Sequence, residues 1–171
     1  MSLQREVELK SDVGMDYSKL RDLLKAGKWK EADGETLRVM LAVAKRERFR
    51  YLDVENIDNF PCADLRTIDQ LWVKYSDGRF GFSVQKRIYQ DLGGTREFKG
   101  EIWKKFGDKV GWRKGGSWLG YYSDITFDIK APEGHLPLWC VGDDMIYWKK
   151  GMMYGLNEMC GVFSRVETCK M

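Results

Sequence analysis

Histidine is nearly missing from this chain. Of 171 residues, only His135 carries an imidazole. The four cysteines, Cys62, Cys140, Cys160 and Cys169, form no CxxC pair. A zinc site built from such scattered ligands is not expected. At this length the thiols need no disulfide framework, so the default expectation is a reducing compartment. Nothing approaches the roughly eighteen apolar residues of a membrane span. The N-terminus has no apolar signal core, and Glu6 and Glu8 are unlike an acidic-poor transit peptide. The sequence has no GxSxG, no P-loop, no HExxH and no GxGxxG after a strand. Asp64, Asp69 and Asp77 make no persuasive acid/base pair, so enzyme activity is not expected. The net charge is only +3. That mild balance, without an RNP-like strand pattern, argues against a nucleic-acid partner.

What is present describes a single globular domain. Hydrophobic residues make up 43% and charged residues 32% of the chain, which is a folded rather than a disordered profile. Residues 1–16 have little pattern and read as a mobile lead-in, with one domain over 17–171. The spacing predicts two helices within 17–44, with Asp33, Gly34, Glu35 and Thr36 interrupting the second. A helix starting near Pro61 runs to Asp77 and Gly78. Another covers about 83–92, and a further one 97–110. Ile125, Phe127 and Ile129 alternate like a short strand or an extended packing segment. The tail from Leu138 is rich in Met, Cys and aromatics, with a weak helical pattern over 154–169. The fold class is mainly α, with a long aromatic loop at about 111–124.

The segment from Leu65 to Tyr89 concentrates the most information. At about 100° per residue, Leu65, Ile68, Leu71, Trp72 and Tyr75 form one apolar stripe. That stripe is adequately explained as a core face. Val73 falls about 80° to the other side and becomes a candidate lining residue. Phe80 and Phe82 flank Gly81 just after the turn, where large aromatics are either plugs or cleft walls. Lys74, Arg79, Lys86 and Arg87 are interleaved; they are either a solvated face or cations waiting for carboxylates. Apolar surface ringed by cations suits a flat, apolar, anionic ligand.

The second unusual stretch runs from Gly111 to Tyr122. Trp112, Trp118, Tyr121 and Tyr122 sit among four glycines, with Arg113 and Lys114 adding charge. It reads either as a loop that folds over a ligand or as one tacked down by its tryptophans. His135, in a Pro/Gly turn, reads as a structural histidine in preference to an axial ligand.

The blocks starting at Asp64, Tyr75, Phe106 and Ala131 resemble the genomes-uncoupled-four family in order and spacing, over roughly residues 17 to 137. The resemblance implies a helical fold like a cupped hand with an apolar palm. It implies binding of protoporphyrin IX or magnesium protoporphyrin IX, and in some members a linear bilin. It further implies stimulation of magnesium chelatase through that enzyme's large porphyrin-binding subunit. The setting it implies is chloroplast stroma or cyanobacterial cytoplasm, with room for peripheral association with a membrane. By motif, Val73 and Phe82 match lining positions, with Phe80 beside them. Trp118 and Arg113, in the loop after Gly111, are expected to close over the macrocycle. Two alternatives remain at this point: a protein-interaction module without pigment, and a bilin-processing enzyme.

Overall fold

The computed structural model describes residues 5–139 and 154–171, with side chains in the second stretch from Cys160 onward. Most of the helices expected from residue spacing are present. Helices α1 (Ser18–Lys25), α2 (Trp29–Val43) and the short α3 (Val54–Asp58) precede α4 (Cys62–Tyr75). Helices α5 (Phe82–Asp91) and α6 (Gly100–Val110) follow, then the two-residue strands β1 (Arg113–Lys114) and β2 (Ser117–Trp118). Helix α7 (Tyr154–Thr168) closes the order. The architecture is mainly helical, as expected from sequence. The expected features of the tail between 140 and 153 lie outside the described residues.

Pro61 sits immediately ahead of α4, where its missing N–H is not needed. The stripe of Leu65, Ile68, Leu71 and Trp72 is buried, as its angular spacing requires. Helix α1 packs against α2 and α4, while α7 packs against α3, α4 and α5. An aromatic cluster fills the far side. Tyr89, Trp103, Phe106 and Phe163 meet at ring separations of 5.2–6.2 Å.

Three sequence expectations need correction. Helix α2 is not interrupted at Asp33–Thr36. Tertiary bonds outweigh the local preference of these residues for breaks. The Asp33 carboxylate accepts from the Tyr122 hydroxyl at 2.6 Å and from the backbone N–H groups of Leu138 and Trp139 at 2.6 and 3.0 Å. The Thr36 hydroxyl donates to the Ala32 carbonyl and accepts from the Trp72 indole. The second concerns the mobile lead-in expected over residues 1–16, of which residues 5–16 are described. Residues 10–12 are fastened to α4. Asp64 accepts from the Ser11 hydroxyl, the Asp12 N–H and the Tyr17 hydroxyl, and the Thr67 hydroxyl donates to the Lys10 carbonyl. The third is a disulfide: Cys62 and Cys169 are linked across 107 residues. Neither lies in a motif, and only the packing of α7 beside α4 brings them together.

The 125–129 stretch has no ladder partner among the described residues and is extended only in part: Ile125 has φ −74° and ψ 136°, while the chain turns at 128–131, where the Ala131 N–H donates to the Asp128 carbonyl at 3.0 Å. Ile125 is buried, and the Thr126 N–H donates to His135 Nε2.

Closing a loop of this size removes up to about 5 kcal/mol of unfolded-state entropy. Reduction with dithiothreitol is therefore expected to lower the thermal midpoint by several degrees, measured by circular dichroism. The Cys62→Ser, Cys169→Ser variant should match the reduced protein and no longer respond to reductant.

Candidate functional site

The corner between α4 and α5 shapes the site. Gly81 adopts φ +134°, a region that side chains rarely occupy. A Cβ there would come within 2.8 Å of Val73 Cγ2 and 2.9 Å of Asp69 Oδ1. The close approach lets Asp69 accept from the Ser83 N–H at 2.8 Å, which satisfies one free donor at the start of α5. Gly81 in turn donates its N–H to the Leu136 carbonyl at 3.1 Å. Burial pushes the Asp69 carboxyl up from its usual range, opposed by its bonds to Ser83.

Outside this corner lies an open cleft of about 830 Å³. Val73 lines it beside Asp69, Gln70, Lys74, Asp77 and Ser83, and is the apolar side chain of a largely polar wall. The opposite wall is Arg5, Glu6, Val7 and Glu8 from the N-terminal segment. Lys74 bridges the two by donating from Nζ to the Arg5 carbonyl at 3.0 Å. The volume is in the range of ordinary small-molecule sites. The off-face position of Val73, visible from the helical angle alone, is what places it here.

The other expected site residues lie elsewhere. Phe80 has no exposed surface and is wedged between α2 and α4. Its ring meets Trp29 edge-on at 5.5 Å and Trp72 at 6.4 Å. Phe82 is equally buried and meets Trp139 edge-on at 6.4 Å. Of the two readings weighed for these rings, the geometry is that of plugs. Trp118 and Arg113 face each other across the β1–β2 hairpin, with the guanidinium 5.4 Å from the indole centroid. Trp118 stacks on Trp103 at 6.0 Å, and it leaves no room for a side chain at Gly107 of α6. Arg113 also donates to the Gly116 carbonyl and pairs with Asp108. The structure thus joins Val73 to a cleft and places the hairpin pair on α6.

Sequence reasoning missed the N-terminal wall. The polar run from Arg5 to Glu8 gives no local signal, because its contacts are with α4, more than 60 residues away.

His135 is buried and both ring nitrogens are engaged. Nδ1 lies 2.6 Å from the Val110 carbonyl, and Nε2 accepts from Thr126. That arrangement fixes the neutral tautomer with the proton on Nδ1 and leaves no nitrogen for a metal. Burial holds its pKa below the ordinary 6.5.

With this geometry in hand, the family can be assigned. The GUN4-like family matches residues 10–150.

The chain belongs to the GUN4-like family.

Its fold is similar to the solved structure of GUN4 from Chlamydomonas reinhardtii, with TM-score 0.73 and 28% identity, over 93% of this chain and 95% of that one. It is also similar to the ligand-free GUN4 of Arabidopsis thaliana, at TM-score 0.68, over 91% of this chain and 95% of that one. At 24% identity, that second likeness speaks for the fold alone. A Ycf53-like protein of Synechocystis is 36% identical over 76% of this chain and 54% of its own length. A tetrapyrrole-binding chloroplastic protein of Arabidopsis thaliana is 30% identical over 64% of this chain and 43% of its own length. This GUN4-like chain therefore spans about half the length of the curated relatives it matches.

Gly81→Ala is expected to destabilise by about 1–3 kcal/mol from backbone strain alone, read as a lower urea midpoint. The His135 contribution has a definite pH sign. A base whose folded pKa is depressed gives stability that is complete above the ordinary 6.5 and is lost as pH falls toward the lowered value. Thermal midpoints are therefore expected to drop across that window, with a shallower slope in His135→Gln.

Proposed function

We propose that this protein is a non-enzymatic tetrapyrrole-binding regulator. Its ligand is protoporphyrin IX or magnesium protoporphyrin IX, with a linear bilin as the alternative pigment. The observation that carries the reading is the cleft of about 830 Å³ lined by Val73. It is large enough for a flat macrocycle, and it belongs to a chain related to a protein named for tetrapyrrole binding. Val73 supplies apolar contact, at about 25 cal/mol per Å² buried before ordering costs. Phe80 and Phe82 act from behind as rigid packing that holds the Gly81 corner. Arg5 and Lys74 are the cations of the lining, which also carries Glu6, Glu8, Asp69 and Asp77. The hairpin bearing Arg113 and Trp118 packs on α6 through Trp103 and Asp108 and would have to leave it to close over the bound ring. His135 is committed to the fold, so an axial bond to a porphyrin metal would come from another group.

In this role the protein performs no chemistry on the pigment. It holds the porphyrin for magnesium chelatase and stimulates that enzyme through its large porphyrin-binding subunit. The compartment in this reading is chloroplast stroma or cyanobacterial cytoplasm. One observation favours a second reading, a protein-interaction module without pigment. Residues 5–8 already wall the cleft with a short stretch of chain, so a partner's peptide could be seated in the same place.

Absorption titration with magnesium protoporphyrin and with a bilin separates these readings. Saturable spectral shifts with quenching of tryptophan fluorescence are expected for the porphyrin. Val73→Asp should weaken binding about tenfold or more, roughly 1.4 kcal/mol, by setting a charge against the macrocycle and its carboxylates. Saturation absent for both pigments would sink the tetrapyrrole reading. Unchanged affinity in Val73→Asp would remove this cleft as the site.

A further inference from the structure

The outer wall of the cleft belongs to a segment with no helix or strand of its own. Residues 5–12 run beside α4 from a fixed root. At that root the Thr67 hydroxyl donates to the Lys10 carbonyl at 2.7 Å, and the Asp12 N–H donates to Asp64 at 2.9 Å. The Ala63 N–H donates back to the Asp12 carboxylate at 3.3 Å. All three partners lie in the first two turns of α4. Arg5 lies at the other end of that helix, where its carbonyl accepts from Nζ of Lys74 in the last turn. The segment therefore runs along α4 in the opposite sense, and its outer part forms the cleft wall.

Beyond the root the hold is modest. Val7 and Leu9 are half-buried against the core, while Arg5, Glu6, Glu8 and Lys10 are exposed. The Lys74 bond to Arg5 is exposed as well. Ordering five residues costs conformational entropy that two half-buried aliphatic side chains and one exposed hydrogen bond roughly offset. A segment so balanced opens locally without disturbing the helix beside it. Its chemistry also opposes an anionic guest. It adds one cation and two carboxylates to a lining in which Asp69 and Asp77 already face Lys74. Its backbone engages the ammonium of Lys74, the lysine that α4 contributes to the cleft.

We propose that residues 5–9 form an autoinhibitory strap on the cleft. Closed, the strap takes up one side, engages Lys74 and sets Glu6 and Glu8 against a flat anionic guest. Open, it pivots on the root at Asp64 and Thr67, frees Lys74 for a ligand carboxylate and widens the cleft beside Val73. The root bonds persist in both states, so opening unfolds nothing in α4. Apparent affinity is then the intrinsic affinity scaled by the fraction of molecules with the strap open. The inference rests on the reading of this cleft as the ligand site. It adds that the site is guarded by its own chain, so that ligand entry and release of residues 5–9 are one event.

Two double variants of the full chain test it, with folding confirmed by circular dichroism. Glu6→Gln with Glu8→Gln removes the repelling charge, and Val7→Ser with Leu9→Ser removes the apolar hold. Each is titrated with magnesium protoporphyrin and, separately, with 8-anilinonaphthalene-1-sulfonate, an apolar anionic dye. Both variants are expected to bind both probes about threefold more tightly or better than the unaltered protein. The gain from the glutamine pair should fade at high salt. Amides of residues 6–9 should exchange hydrogen faster once porphyrin is bound. Porphyrin binding with unchanged affinity in both variants overturns the strap and leaves the cleft reading standing. Weaker porphyrin binding in Val7→Ser with Leu9→Ser, or slower exchange at residues 6–9 on binding, makes the segment a clamp and also overturns it. If porphyrin does not bind but both variants gain affinity for the dye, the pigment reading fails and the strap stands. No porphyrin binding and no gain for the dye overturns both.

Discussion

Three buried aspartates hold the irregular parts of this protein onto its helices. Asp64 gathers Ser11, Asp12 and Tyr17; Asp33 gathers Tyr122, Leu138 and Trp139; Asp69 fixes the corner at Ser83. Each carboxylate is desolvated, which would be costly without partners. Asp64 and Asp33 recover that cost mainly by accepting from segments outside the α-helices, and Asp69 by accepting from the Ser83 N–H at the start of α5. Removing one would leave donors unsatisfied and release a loop, so these bonds decide where the non-helical backbone lies. The cleft depends on two of them. Asp64 fastens the segment that leads to its outer wall, and Asp69 fixes the start of α5 next to Gly81, where a side chain would collide with Val73.

Much of the helical frame was legible in the chain because helices announce themselves locally. The stripe in α4 follows from a 100° step, and the end of α6 at Gly111 follows from a left-handed residue that favours glycine. The unbroken α2 was not legible. Asp33, Gly34 and Thr36 have poor local preferences for a helix interior, and what overrides them comes from residues 72, 122, 138 and 139. The same reason hid the Cys62–Cys169 link. Information about a pair so far apart in sequence exists only in the packed structure.

The candidate site divides along the same line. Val73 was recognisable because an apolar residue off the core stripe asks for another environment, and the cleft supplies one. For Phe80 and Phe82 the sequence offered two readings, wall or plug. Only their contacts with Trp29, Trp72 and Trp139 distinguish them. Residues 5–8 gave no sign at all, since a short polar run becomes a wall only when another element faces it. Local chemistry thus identified one side of the cleft, while the other side is a property of chain topology.

The Cys62–Cys169 bond also changes the connectivity of the molecule. From the first residue of α4 to the residue after α7, backbone and disulfide form a closed covalent circuit. The α4–α5 corner and the aromatic hairpin both lie inside it. A single backbone cut anywhere within that circuit opens the ring without dividing the molecule. Two peptides then remain joined through sulfur, and they separate only when the bond is reduced.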